Sequence, residues 1–352
     1  MDLPALYQKY AEYMRQWMSK YWETRPEPFP QQKTAPPKRQ ERPTVKKTPV
    51  VTKKPVTKKP GTSSYNKGAT MGTIAKKALV VGIDKYRNSA WNLQGCTMDA
   101  AVMTGILQDH FEFPSDNVRL VLDERATKIG IEMRLDWLTR GAQPGDVLVF
   151  FYAGHGSQVR DRDGDELDDR MDEILCPHDL DWDDPLTDDI LNAYFKRVPE
   201  GVNLTVIFDC CHSGTATRSM YVPVSPDGTY GEPEYQKTRY ITPPLDIIFR
   251  SRGMEDLPKR RLGEAVIEDR HILLSACSAQ QEAKEKVIEG QTRGAFSYYF
   301  SKVLKRANWD LTHRHAHDMT LTRLRDYGFA QVPQLECPEE YMEKKLFGSF
   351  LD

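Results

Sequence analysis

The chain has no run of about eighteen apolar residues, the least that would cross a bilayer as a helix. Its opening, MDLPALYQKYAEYMRQW, is too polar for the apolar centre of a secretion signal, so a soluble, cytoplasmic protein is the expectation. Cysteine is scarce: there are six, at positions 96, 176, 210, 211, 277 and 337. None of the spacings is that of a zinc site, and an adjacent pair makes a poor disulfide framework, so reduced thiols are expected. Net charge is also nearly absent, at −2, but this balance hides two blocks. Lys33 to Lys67 holds eleven Lys/Arg against Glu41 alone, whereas Asp161 to Asp189 holds fourteen acids against Arg162 and Arg170.

What is present divides the chain in three. Over residues 1–25, Leu6, Tyr10, Met14, Trp17 and Tyr21 recur at helical spacing, which predicts an amphipathic helix that either packs on the chain's own body or docks an activating partner. Residues 26–76 carry PPKRQERPTVKKTPVVTKKPVTKKP, rich in proline, lysine and threonine. This composition cannot bury enough surface to fold and predicts a basic linker. Its charge is read as solvated, and nucleic acid is not the expected partner. From Lys77 to Phe350 apolar strands alternate with helices: KALVVGI, NVRLVL, DVLVFFYAG, NLTVIFD and HILLSAC are the strands. Continuous apolar strands between helices predict an α/β fold whose mostly parallel sheet is covered on both faces. Residues 215–270, with six prolines, fit neither period and are expected to form a long surface excursion. THRHAHD, from Thr312, is read as a loop ahead of a later helix.

In such sheets ligands sit beyond the carboxyl ends of the strands. Two strands end in reactive groups, one in AGHGSQ with His155 and one in DCCHSG with Cys210, Cys211 and His212. A thiolate beside an imidazole, with backbone N–H groups from a glycine-rich turn, is the equipment of nucleophilic catalysis.

The motifs KALVVGIDKY, LQGCTMDA, FYAGHGSQ, DEILCP, LTDDIL, DCCHSG and QVPQLECPEE stand in the order found in metacaspases and bacterial caspase-like peptidases, and the resemblance covers most of Lys77 to Phe350. It implies a caspase-like fold and a cysteine endopeptidase that works through a thioester acyl-enzyme. His155 and Cys211 are the implied dyad, and the N–H groups of Gly156 and Cys211 the implied oxyanion donors. Cys96, Asp99 and Asp209 are the implied pocket residues. Carboxylates there would favour Arg or Lys before the scissile bond. For Asp99 the residues also allow a helix-terminus role. The family's serine two residues before the histidine is Ala153 here. Self-processing is implied in the excursion, with Arg218, Arg250, Arg252 and Lys259–Arg261 as candidates. A peptide-binding protein of the same fold with little turnover is the alternative.

The acidic stretch DRDGDELDDRMDE lacks the glycine position of an EF-hand loop. It resembles the metacaspase region that binds calcium, which implies Asp172, Asp188 and Asp189 as ligands. The family's further acid, seven residues after the nucleophile, is Arg218 here, so the site is weaker, completed by an acid such as Asp168, or replaced by that arginine.

Overall fold

A computed structural model describes residues 74–160, 171–211, 236–249, 271–278 and 281–351. The helix expected over 1–25, nearly all of the linker and the rest of the excursion lie outside the described residues, as do His212, Asp168 and the six candidate processing positions.

The elements run in the order β1 (Lys76–Gly82), α1 (Cys96–His110), β2 (Val118–Leu122), α2 (Lys128–Thr139), β3 (Val147–Ala153), β4 (Gly156–Arg160), β5 (Met171–Leu175), β6 (Leu186–Thr187), α3 (Asp188–Phe195) and β7 (Asn203–Asp209). There follow β8 (Gln236–Thr238), α4 (Leu245–Phe249), β9 (Ile272–Ser275), β10 (Lys284–Ile288), β11 (Gln291–Gly294), α5 (Ala295–Arg306), α6 (His313–Asp326), β12 (Gln334–Glu336) and α7 (Glu339–Met342). Among the described residues six strands form the main sheet, in the order β12-β9-β7-β3-β1-β2. All its neighbours are parallel except β12, which runs antiparallel to β9.

Every residue of the central strands β3 and β7 is buried. Burial of alternate side chains on both sides requires cover on both faces, which is why these strands read as unbroken apolar runs. The helices start where local chemistry allows: Thr127 and Thr187 accept from Gly130 and Ile190 N–H groups at the heads of α2 and α3. Two small antiparallel sheets, β4-β5-β6 and β8-β10-β11, stand apart from the main one.

Two sequence expectations are corrected. THRHAHD is not a loop: α6 begins at His313, because Thr312 caps it by accepting from the His315 N–H. Part of the supposed surface excursion is ordered, since β8 pairs with β10 and Arg239, just beyond it, is 0% exposed.

Among the described residues three histidines, His155, His271 and His313, are buried. Burial lowers them to about 3, about 4 and about 4. The unfolded chain, with ordinary values near 6.5, therefore binds more protons between about pH 4 and 6.5, and stability falls as pH drops through that window. The loss is up to about 1.4 kcal/mol per histidine per pH unit. Urea melts at pH 7 and pH 5 check this: the midpoint is expected to be clearly lower at pH 5, and an unchanged midpoint contradicts it.

Candidate active site

The parallel pairing of β3 with β7 sets Ala153 opposite Asp209, so both chains leave the sheet at the same end. His155 and Cys211 each lie two residues beyond that pair. The His155 turn is pinned by two buried tyrosines. Its N–H donates to Tyr86 Oη at 2.8 Å, and Tyr152 Oη lies 2.7 Å from its carbonyl oxygen and 2.8 Å from that of Cys176. Gly156 has to be glycine, because a Cβ there would collide with the Cys211 carbonyl group. This close approach brings the two turns together.

His155 Nε2 lies 2.7 Å from the Trp91 carbonyl oxygen. A carbonyl only accepts, so Nε2 carries the proton and Nδ1 keeps its lone pair. Nδ1 is buried with no hydrogen-bond partner, and the ring faces the Arg239 backbone. Burial lowers the imidazole to about 3, with the Trp91 carbonyl opposing, so it is neutral at physiological pH. The Cys211 sulfur accepts from the Ala283 N–H at 2.7 Å and lies 3.2 Å from its carbonyl. Cys210 is also buried, and burial pushes its thiol well up.

Arg239 binds these parts from within the same chain. Its carbonyl oxygen accepts from the Gly156 N–H at 3.0 Å and from the Cys211 N–H at 3.1 Å. Its guanidinium enters a hole lined by acids: Nη2 is 2.6 Å from Asp99 Oδ2 and 3.7 Å from Glu285 Oε2, and Nη1 is 3.0 Å from Asp209 Oδ2. Of the three pocket residues read from sequence, Asp99 and Asp209 thus meet one cation. Cys96 is buried at the same place, where burial raises its thiol and Arg239 opposes the rise.

Buried carboxylates stay charged only when hydrogen-bonded or paired. Asp84 accepts from the Cys96 and Thr97 N–H groups at the head of α1, and Glu285 accepts from those of Gln94 and Gly95. Asp99 also receives Arg293 Nε at 2.6 Å and the Gly294 N–H at 2.8 Å, so it is more than a helix-terminus charge. Asp209 accepts from Ser297 N and Oγ, but its burial still raises its pKa against the pull of Arg239. Among the described residues the one tight trio of possible metal ligands is Asp84, Cys96 and Glu285, and both its acids are engaged by the N–H groups just named. Asp172, on β5, is buried. Asp188 and Asp189 open α3, which the pairing of Ile174 with Thr187 brings alongside β5.

Sequence reasoning missed Arg239, Glu285, Arg293 and Ser297. Glu285 and Arg293 lie on β10 and β11, strands of five and four residues, too short to show by pattern which charges turn inwards. The available signal was the three-residue strand flanking Arg239, too short for any period.

A sheet of mostly parallel strands, flanked by helices and carrying a cysteine and a histidine at adjoining strand ends, defines a caspase-like α/β protein. The solved structure of protein GSU0716 from Geobacter sulfurreducens shares the fold, with a TM-score of 0.56 at 23% identity over 78% of this chain and 99% of that one. The family model for the metacaspase peptidase C14 domain matches residues 76–219. Metacaspase-1A of Aspergillus oryzae is 31% identical over 307 residues, covering 79% of this chain and 71% of that protein. Metacaspase-1 of Pyricularia oryzae is 31% identical over 293 residues, covering 75% and 72%. Metacaspase-1 of Arabidopsis thaliana is 42% identical over 147 residues, covering 40% of each. The chain belongs to the metacaspase family of cysteine-type peptidases. Among the described residues no helix is long and apolar enough to cross a membrane.

Proposed function

We propose that this peptidase hydrolyses peptide bonds after arginine or lysine, with Cys211 as nucleophile and His155 as general base. One observation carries the reading: a guanidinium sits among Asp99, Asp209 and Glu285 while the carbonyl of the same residue accepts from the Gly156 and Cys211 N–H groups. A substrate arginine held in this way has its carbonyl polarised by two backbone donors, as an oxyanion requires. The neutral His155, with Nδ1 free to accept, takes the Cys211 proton. The sulfur attacks the carbonyl carbon, and the imidazolium returns the proton to the leaving amine. Water then hydrolyses the thioester. The net charge of the acid-lined hole repels an acidic side chain, which sets the specificity.

The test is a set of fluorogenic peptides ending in Arg, Lys or Asp, assayed on the wild-type protein and on Cys211→Ala. Hydrolysis after Arg and Lys, absent after Asp and lost in the variant, supports the reading. Binding of the peptides with no turnover in either protein would favour the scaffold alternative.

Calcium belongs to the same proposal. Asp172, Asp188 and Asp189 supply the hard oxygen donors the ion prefers, at one end of the β4-β5-β6 sheet. When bound, it would neutralise the acids there. Calcium at a hundred times its dissociation constant is expected to stabilise the protein by about 2.7 kcal/mol, read as a rise in melting temperature. Asp172→Asn should remove most of that rise. An equal rise in the variant would count against these ligands.

A further inference from the structure

One thiol at this end of the sheet takes no part in the proposed reaction. β9 lies parallel to β7 with Ser275 opposite Phe208, and the Ala276 N–H donates to the Phe208 carbonyl at 2.8 Å. The pairing thus runs on past the strand ends and carries Cys277 alongside Cys210 and Cys211. Neighbouring strands lie about 4.8 Å apart and each residue advances about 3.3 Å, so an offset of one residue leaves two Cα atoms about 6 Å apart, within the span of a disulfide. The side chains choose between the two cysteines. The Cys210 sulfur faces Gly156, 3.5 Å from where a Cβ would stand there, whereas the Cys277 thiol shares a side-chain hydrogen bond with Cys211. That bond, followed by burial, raises the Cys277 thiol well above its ordinary range.

Cys277 is held in place from several sides. Its sulfur lies 3.3 Å from the Gln281 carbonyl oxygen and 3.8 Å from that of Cys210, and Ser275 Oγ donates to its carbonyl at 3.3 Å. Gln281 is itself fixed. Its N–H donates to the Ser278 carbonyl at 2.9 Å, and its side-chain amide donates to the Ala330 carbonyl at 3.1 Å and accepts from the Val332 N–H at 2.8 Å. Two positions further on, the Ala283 N–H donates to the Cys211 sulfur. Residues 277, 281 and 283 therefore hold both sulfurs together. A second thiol beside a nucleophilic one is the arrangement that resolves an oxidised cysteine.

We propose that Cys277 is the resolving thiol of Cys211: when hydrogen peroxide oxidises the nucleophile, a reversible Cys211–Cys277 disulfide forms, which stops proteolysis and keeps the sulfur from irreversible oxidation. The inference rests on the reading of Cys211 as the nucleophile with His155 as its base. The Cys211 sulfur attacks one peroxide oxygen and the O–O bond breaks. The Cys211 proton passes through His155 to the departing hydroxide, which leaves a sulfenic acid and one water. The Cys277 sulfur then displaces the hydroxyl from the sulfenic sulfur, and that hydroxyl takes the Cys277 proton and leaves as a second water. Peroxide gains two electrons and each sulfur gives up one. A dithiol reductant restores both thiols by exchange. Without Cys277 the sulfenic acid meets further peroxide and becomes a sulfinic acid, which a dithiol does not reduce.

The experiment treats the full wild-type chain, Cys277→Ala and Cys277→Ser with hydrogen peroxide and then with dithiothreitol. Hydrolysis of an arginine-ended fluorogenic peptide and peptide mapping without prior reduction are read before and after each step. Untreated, both variants are expected to hydrolyse the peptide within severalfold of wild type. Oxidised wild type is expected to lose activity, to yield a cross-linked Cys211–Cys277 peptide, and to recover most of its activity in dithiothreitol. The variants are expected to carry sulfinic acid on Cys211 and to recover less than about a tenth of what wild type recovers. Cys277→Ser keeps the size of the side chain and a donor for the Gln281 carbonyl, so it separates loss of the resolving sulfur from loss of packing. Wild-type Cys211 that becomes sulfinic acid as fast as in the variants, that cross-links to Cys210 instead, or a Cys277→Ser protein that recovers like wild type, overturns this inference; hydrolysis by the untreated protein then leaves the peptidase reading standing. A Cys211–Cys277 cross-link in a chain that hydrolyses nothing even before treatment supports the pairing and counts against the peptidase reading.

Discussion

Cys211→Ala is expected to lower kcat/KM for arginine-ended peptides by about four orders of magnitude or more, the scale on which nucleophile deletions act. His155→Ala should fall nearly as far, and the double variant no further, because a nucleophile and its base act as one unit. Cys210→Ala is the control. Its thiol is buried, is pushed up by that burial, and stands beside Gly156. Losing it removes one sulfur from a packed site, a cost of about 1 kcal/mol, and should leave turnover within severalfold of wild type. Activity that survives Cys211→Ala and disappears in Cys210→Ala would reverse the assignment.

Asp99→Ala is expected to have the largest effect on stability. Its carboxylate is completely buried and holds Arg239, Arg293 and the Gly294 N–H together. Among the described residues Asp99 is the ion-pair partner of Arg293, whose Nη2 already lacks a hydrogen bond. Removing one side of a buried ion pair costs about 3–5 kcal/mol, because a charge is left without compensation. Asp99→Asn should cost nearly as much, since the amide preserves shape but not charge. Adding Arg293→Met to Asp99→Ala should recover part of the loss by removing the stranded guanidinium, a coupling that a double-mutant cycle reads directly. In the same variants kcat/KM after arginine should fall by about a hundredfold or more, since a substrate guanidinium loses its closest carboxylate. An Asp99→Ala protein as stable as wild type would show that the charges in the hole are not coupled as described.

The parts of this molecule that were legible in the sequence are those whose chemistry is periodic or concentrated. VLVFFYA and NLTVIFD are buried on both faces, so they read as unbroken apolar strands. The glycines around His155 and the paired cysteines marked the two strand ends. Asp99 and Asp209 were named, but the guanidinium between them was not. β8 is three residues long and half-buried, and it is held by backbone pairing to a strand about fifty positions further on, which leaves no trace in side-chain pattern. Glu285 and Arg293 sit in KEKVI and QTRG, where the charges look solvated. Only the fold turns them inwards, Glu285 to the head of α1 and Arg293 to Asp99. The start of α6 was hidden by three histidines. Thr312, one residue before them, is the capping signal that should have marked it.

The most direct measurement is the site of covalent labelling by an arginine-ended peptidyl acyloxymethyl ketone, located by peptide mass spectrometry on the wild-type and Arg239→Gln proteins. The account predicts a single adduct on Cys211, abolished by Cys211→Ala, untouched by Cys210→Ala, and absent with an aspartate-ended reagent. An adduct on Cys210 or Cys277, or equal labelling by both reagents, would contradict it.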